Sequence, residues 1–240
     1  YSVTFDRDSD FPFFNLGVNQ PGSLLSLAEV KACNGVREDL RLCMDLELWL
    51  RILIQNGQHS LISIPETIAT YRYHSESKTC STQDVFAFEE FIILTDIYAS
   101  LVGCELPQSL STLRNQSLLE KKSYISCFDL NINIIKKSFY DRLLVSDSLL
   151  ARATLRSSDN SKTAICNFGK IINDLHSELK DVYGLATDKV EAQAWLRIMQ
   201  NSHRLSLFGT IAVLKNLPFW KALIELLRIM IFPFRSKIIY

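Results

Sequence analysis

The hydrophobic positions along the chain divide it into three stretches. In the run CMDLELWLRILIQNGQ, from Cys43 to Gln58, Leu46, Leu50, Leu53 and Ile54 fall at i, i+4, i+7 and i+8. That spacing lays one apolar stripe along an α-helix, and Gly57 after Asn56 stops it. Short β-prone runs flank this helix at Ser2 to Phe5, Ser60 to Ile64 and Thr67 to His74, so residues 1–80 read as mixed α/β. From Thr82 onward the period is helical. Breaks are expected at Gly103 to Pro107, at Ser157 to Ser161, near Gly184 and at Asn216 to Pro218. Phe86, Phe88, Phe91, Ile92 and Leu94 give the first of these helices a broad apolar face, which predicts packing onto the preceding stretch. Residues 81–216 are therefore expected to be an α-helical extension. Residues 217–240 predict a separate amphipathic C-terminal helix, in which Lys221, Glu225 and Arg228 mark a narrow polar face opposite Phe219, Trp220, Leu223, Ile224 and Leu227.

Composition narrows the function classes. A chain of 240 residues with 48% hydrophobic content is long enough to bury a substantial core. Its 26 Lys and Arg balance 26 Asp and Glu, which removes the positive field that nucleic-acid binding normally needs. The six cysteines are scattered with no C-x-x-C pair, so neither a zinc site nor a disulfide framework is indicated, and a reducing compartment fits. No run reaches the roughly 18 apolar residues of a membrane span. The start, YSVTFDRDSD, lacks a basic-then-apolar leader, and a first residue of Tyr1 rather than Met suggests a piece of a longer chain.

Candidate chemistry lies in the first stretch. Asp45 projects from the first turn of the expected helix, with Trp49 one turn later on the same side. Such an acid caps a helix or complements its dipole, and it can also serve as a base. Glu47 and Arg51 stand four apart in the favourable order, which reads as a solvated ion pair of little energetic weight. In TIATYRYHSESKT the period of two aligns Ile68, Thr70, Arg72 and His74 on one face. A cation beside an imidazole at a strand end suits a diphosphate or a metal, while a lone strand-end histidine is commonly structural. Asp6, Asp8 and Asp10 spell D-x-D twice, in what reads as an acidic surface loop.

Taken in order, NQPGSLLS, CNGVREDL, MDLELWLRI and TIATYRYHSESKT resemble the acceptor-side half of a family 2 glycosyltransferase of the GT-A fold. The resemblance covers about the first 80 residues. It implies a fold in which the C-terminal part of an α/β GT-A domain precedes the helical extension. It also implies an inverting transfer of a sugar from a nucleotide diphosphate sugar to a hydroxyl of a glycan or lipid-linked acceptor. By that resemblance Asp45 is the catalytic base, and Gln20, Gly22 and Ser23 line the donor sugar and acceptor. Trp49 and Arg72 assist binding, and His74 helps hold a divalent metal, Mn or Mg, on the diphosphate. Met44 stands where the family often carries an acid before the base. The family's nucleotide-binding half and its D-x-D motif are expected upstream of these residues, since Asp8 precedes Gln20 too closely to be that motif.

A second reading is a non-catalytic helical interaction module with a vestigial transferase segment. Under the transferase reading the chain is cytoplasmic or peripheral on the inner face of a membrane. The 217–240 helix, with Trp220 as anchor and Arg235 and Lys237 as basic flank, then rests on anionic lipid or packs as ordinary core.

Overall fold

The structure, a computed structural model, describes residues 20–57, 60–62, 64, 66, 68–70, 82–127, 129–146 and 149–201. Helix α1 (Leu27–Ala32) starts at Ser26, whose Oγ accepts the Glu29 N–H, and ends in a turn through Asn34 and Gly35, both at positive φ. Helix α2 (Met44–Asn56) follows the predicted apolar stripe, and its C-cap Gly57, at φ 77°, donates its N–H to the Leu53 carbonyl. The long α3 (Gln83–Val102) ends at Gly103 in the left-handed region, where a residue without Cβ carries no strain.

Next come α4 (Gln108–Arg114) and α5 (Ile132–Tyr140), the latter capped by the Asn131 side chain and prolonged by a π turn over Asp141–Ser146. Helix α6 (Leu149–Arg156) leads to α7 (Ser161–Tyr183), which Asn160 caps, and a short 3₁₀ turn joins α7 to α8 (Thr187–Asn201). The sequence breaks at Gly103, Ser157 and Gly184 coincide with helix ends. The break at Asn216 to Pro218 and the 217–240 helix lie outside the described residues.

Helix α3 is the hub. It packs along α6 and α5 and touches α4, while α7 and α8 close the array against α5, α6 and the π turn. Phe91, Ile92, Ile93, Leu94 and Ile97 on α3 are all buried, each contributing about 1.5–3 kcal/mol relative to exposure. A helix apolar on every side is buried on every side. Tyr98 stacks on Phe139 at 4.1 Å, and Tyr140 meets both rings edge-on. At the α7–α8 contact, Phe168 meets Trp195 at 5.2 Å, and a Cβ added at Gly169 would lie 3.1 Å from the Trp195 ring. Leu40, Cys43, Leu50, Leu53 and Ile54 belong to the same continuous core as these helices.

The expected α/β GT-A arrangement is not what the chain forms. The described residues are helical, with no strand or sheet among them. The described parts of the β-prone runs, 60–62, 64 and 68–70, make no ladder, and Ile62, Ile64 and Ile68 are exposed. β-branched residues favour a strand only where a neighbouring strand offers hydrogen bonds and a packed face. The Ser2 to Phe5 run, Asp6, Asp8 and Asp10 lie outside the described residues.

Three acids of α3, Glu89, Glu90 and Asp96, are buried in this apolar setting. Asp96 is held by Arg114, with bonds of 2.9 and 2.8 Å, and also accepts the Lys122 N–H at 3.2 Å. Glu90 takes Arg142 of the π turn. Breaking such a pair strands a charge away from water. Asp96→Ala is therefore expected to cost about 3–5 kcal/mol, since Arg114 has almost no access to solvent. Urea unfolding followed by circular dichroism measures it, and a loss below about 1 kcal/mol would show that the pair is not a structural clamp.

Candidate functional site

Asp45 occupies the first turn of α2 and is half-buried. Its Oδ1 accepts the Leu46 N–H at 2.8 Å, and its Oδ2 has no hydrogen-bond partner among the described residues. The N-cap residue, Cys43, offers no side-chain cap. The amides at this end are instead met by Glu89 of α3, whose Oε1 accepts from Arg41 at 3.1 Å and whose Oε2 accepts from Leu42 at 2.8 Å and Cys43 at 3.0 Å. Of these amides the Cys43 N–H is one of the helix's own unpaired donors, and the carboxylate also opposes the positive end of the dipole. Burial, with Glu90, Glu89 and Asp45 nearby, pushes the Cys43 thiol up, so this cysteine is no thiolate nucleophile despite its position at a helix start. Cys33 is likewise raised, chiefly by burial.

The other members of the M-D-L-E-L-W-L-R run face inward. Glu47 is 1% exposed, and Arg51 clasps it with bonds of 3.0 and 2.7 Å. Arg51 also donates to the carbonyls of Cys33 and Gly35, which ties the α1–α2 connection to the helix. The pair expected to be solvated is thus withdrawn from water, Glu47 fully and Arg51 in large part. The cause is the segment 119–125, which returns over α2 and shows no periodicity that would announce the return. Tyr124 from that segment donates to Glu47 Oε1 at 3.1 Å, and Arg37 reaches the same phenol while binding Asp39 through two bonds and the Glu120 carbonyl through a third. Arg114 donates to the Leu119 and Glu120 carbonyls. One polar chain therefore runs from Arg51 through Glu47, Tyr124 and Arg37 to the Glu120 carbonyl, and on to Arg114 and Asp96.

Charges within this chain are set by their partners. The Arg37 hydrogen bonds hold the Asp39 carboxyl below the usual carboxylate range. Burial works against the Arg37 charge, yet its bond to Asp39 keeps the guanidinium firmly protonated. Burial, then the Glu47 carboxylate, pushes the Tyr124 phenol above its ordinary value.

Trp49 is buried on α2, and its indole Nε1 finds no hydrogen-bond partner among the described residues. Gln20, Gly22 and Ser23 form a short turn on the surface, where Ser23 bonds back to the Gln20 carbonyl and a Cβ at Gly22 would meet nothing within 4 Å. The chain after that turn, α1, is tied to the last turn of α2 by Asn56 to Glu29 and by Cys33 to Gln55. Asp45 lies at the opposite end of α2, about 16 Å away by helical rise. No hydrogen bond joins the Gln20 turn to Asp45 among the described residues. Arg72 and His74 lie outside the described residues. The Mn or Mg that the resemblance implies has no donor set here: no group of three or more His, Cys, Asp or Glu side chains is suitably placed among the described residues.

A cleft of about 120 Å³ opens between α2 and the returning segment, lined by Arg51, Ile54, Gln55, Ser123, Tyr124 and Ile125. It is well below the roughly 300–1,000 Å³ of ordinary ligand pockets. A nucleotide sugar does not fit it. No protein-family model matches the chain, and no curated protein or solved structure is detectably similar to it. The glycosyltransferase resemblance therefore stands on the motif residues alone.

Of the residues that organise the site, Glu89, Tyr124, Asp96 and Arg114 left no readable signal, because each acts across a long separation in sequence. Arg37 sits inside CNGVREDL, where no spacing to Tyr124 or Glu120 marks the arginine.

The buried phenols give a pH signature. Burial is the chief cause that raises Tyr98, Tyr124, Tyr140 and Tyr183. The folded chain keeps protons that the unfolded chain releases above about pH 10, so this contribution is complete below that value and falls as pH rises through it. The thermal midpoint should be nearly flat from about pH 7 to about pH 9 and drop steeply above about pH 10. Phenolate absorbance should appear together with unfolding. Ionisation of these tyrosines in a fully folded protein would contradict the assignment.

Proposed function

We propose that this chain supplies the acceptor side of an inverting glycosyltransferase, with Asp45 as the base. The observation that carries this reading is how the D-x-E-L-W-L-R run divides. Glu47 and Arg51 are consumed by each other and by the chain around them, whereas Asp45 keeps one oxygen anchored to the Leu46 N–H and leaves the other without a partner among the described residues. A carboxylate held at one oxygen is a competent general base at the other. It takes the proton of an acceptor hydroxyl as that oxygen attacks the anomeric carbon. The bond from that carbon to the diphosphate breaks, and the nucleoside diphosphate leaves with the electron pair. Direct displacement by one base inverts the anomeric centre. The donor is a nucleotide diphosphate sugar and the acceptor a glycan or lipid-linked hydroxyl. A divalent metal, if bound, would neutralise the departing diphosphate.

A second reading, a helical interaction module without catalysis, is favoured by the helical architecture and by the exposed Leu24, Leu25 and Leu27 at the start of α1. Under the transferase reading, residues 217–240 rest on a membrane surface. No helix among the described residues is long and apolar enough to cross a membrane.

Asp45→Asn separates the two readings. Asparagine keeps an oxygen that can accept the Leu46 N–H, so stability should stay within about 0.5 kcal/mol. Release of nucleoside diphosphate by the intact protein should fall at least about a hundredfold. Turnover close to that of the parent protein would leave the interaction module as the better account. Flotation with anionic vesicles tests the membrane contact: the intact chain should float and a chain lacking residues 217–240 should not.

A further inference from the structure

We propose that Glu89 is a positioning residue for Asp45. The inference rests on the reading of Asp45 as the base. An α-helix leaves its first N–H groups without internal partners, and α2 lacks the usual Ser, Thr, Asp or Asn side chain at its cap. The Cys43 thiol turns away toward the Phe86 carbonyl, at 3.4 Å. From α3, 46 residues further on, Glu89 meets one of those donors, the Cys43 N–H, and gathers the Arg41 and Leu42 amides just before the helix onto the same buried carboxylate.

The geometry adds a directional polar tie between two elements that already share one apolar core. Glu89 lies on the same helix as Phe91 and Ile92, both inside the core, so its backbone is fixed by packing. Asp45 is two residues beyond the last amide that Glu89 holds. Fixing Leu42 and Cys43 therefore fixes where the first turn begins and the direction in which the Asp45 side chain leaves it. The bond that Asp45 itself accepts among the described residues, from the Leu46 N–H, is local and cannot orient the turn against the core. Displacement of a base by about 1 Å can cost up to about a hundredfold in rate. Glu89 touches no reacting atom in this account and acts through the backbone alone.

The test is a double-mutant cycle in the intact protein, read as nucleoside diphosphate release. Glu89→Gln keeps the shape and one good acceptor oxygen; it should lower kcat about tenfold, with KM for donor and acceptor little changed. Glu89→Ala should lower kcat further. In an Asp45→Asn background, Glu89→Gln should change the residual rate by less than about twofold, because its effect passes through the missing base. Full activity of Glu89→Gln, or the same fractional loss in both backgrounds, would overturn the proposal while leaving Asp45 as base intact. Near-normal activity of Asp45→Asn would remove the reading on which it rests. Amide exchange needs no variant: in the folded parent protein the Leu42 and Cys43 amides should be strongly protected, and exchange at the unprotected rate would also overturn it.

Discussion

Burying a carboxylate in an apolar helix is the constraint from which the rest of the arrangement follows. Helix α3 places Glu89, Glu90 and Asp96 where water scarcely reaches, and each would be costly there without a partner. The three partners come from three different places: the amides before α2, Arg142 of the π turn, and Arg114 of α4. Hydrophobic packing gathers these elements without much regard to register. The acids supply direction, because a hydrogen bond satisfied at 2.8 Å is lost when its partner slides by a fraction of a turn.

Local order was legible where the determinants are local. The stripe of Leu46, Leu50, Leu53 and Ile54, with Gly57 behind it, specifies α2 to within a residue at each end, and Gly103 and Gly184 mark stops because a left-handed or otherwise positive φ favours glycine. Partnership across the chain was not legible. Glu47 and Arg51 look like a surface pair in sequence because nothing near them announces Tyr124, 77 residues away. The strand expectation failed for a related reason: β-propensity describes a side chain that fits a sheet, and a sheet is supplied by other segments. Asp45 was legible as a candidate, whereas the residue that fixes its helix was not, since a buried glutamate on an apolar helix carries no periodic signature.

The division of labour within M-D-L-E-L-W-L-R bears on how such runs are interpreted. A short motif mixes residues that shape its own scaffold with residues that meet a ligand. Here Glu47 and Arg51 are spent on the α1–α2 connection and on Tyr124, Leu50 lies in the core, and the first acid has one oxygen without a partner among the described residues. Resemblance at the scaffold positions speaks to local shape. Resemblance at Asp45 is what carries the proposed chemistry.

The π turn at Asp141–Ser146 has a bearing on chain length. Phe139 and Leu143, and likewise Tyr140 and Leu144, stand four apart and are all buried. In an α-helix, side chains four apart precess by about 40° around the axis, so a succession of such steps walks off the core. A wider turn absorbs that drift and keeps the pairs facing one way. It is equivalent to one residue inserted into a helix, and the phase of the pattern shifts from there onward. Composition is thus a weak constraint on this stretch, and the number of residues is a strong one: deletion of a single residue would turn Leu143 and Leu144 away from the core that buries them, although neither side chain had changed.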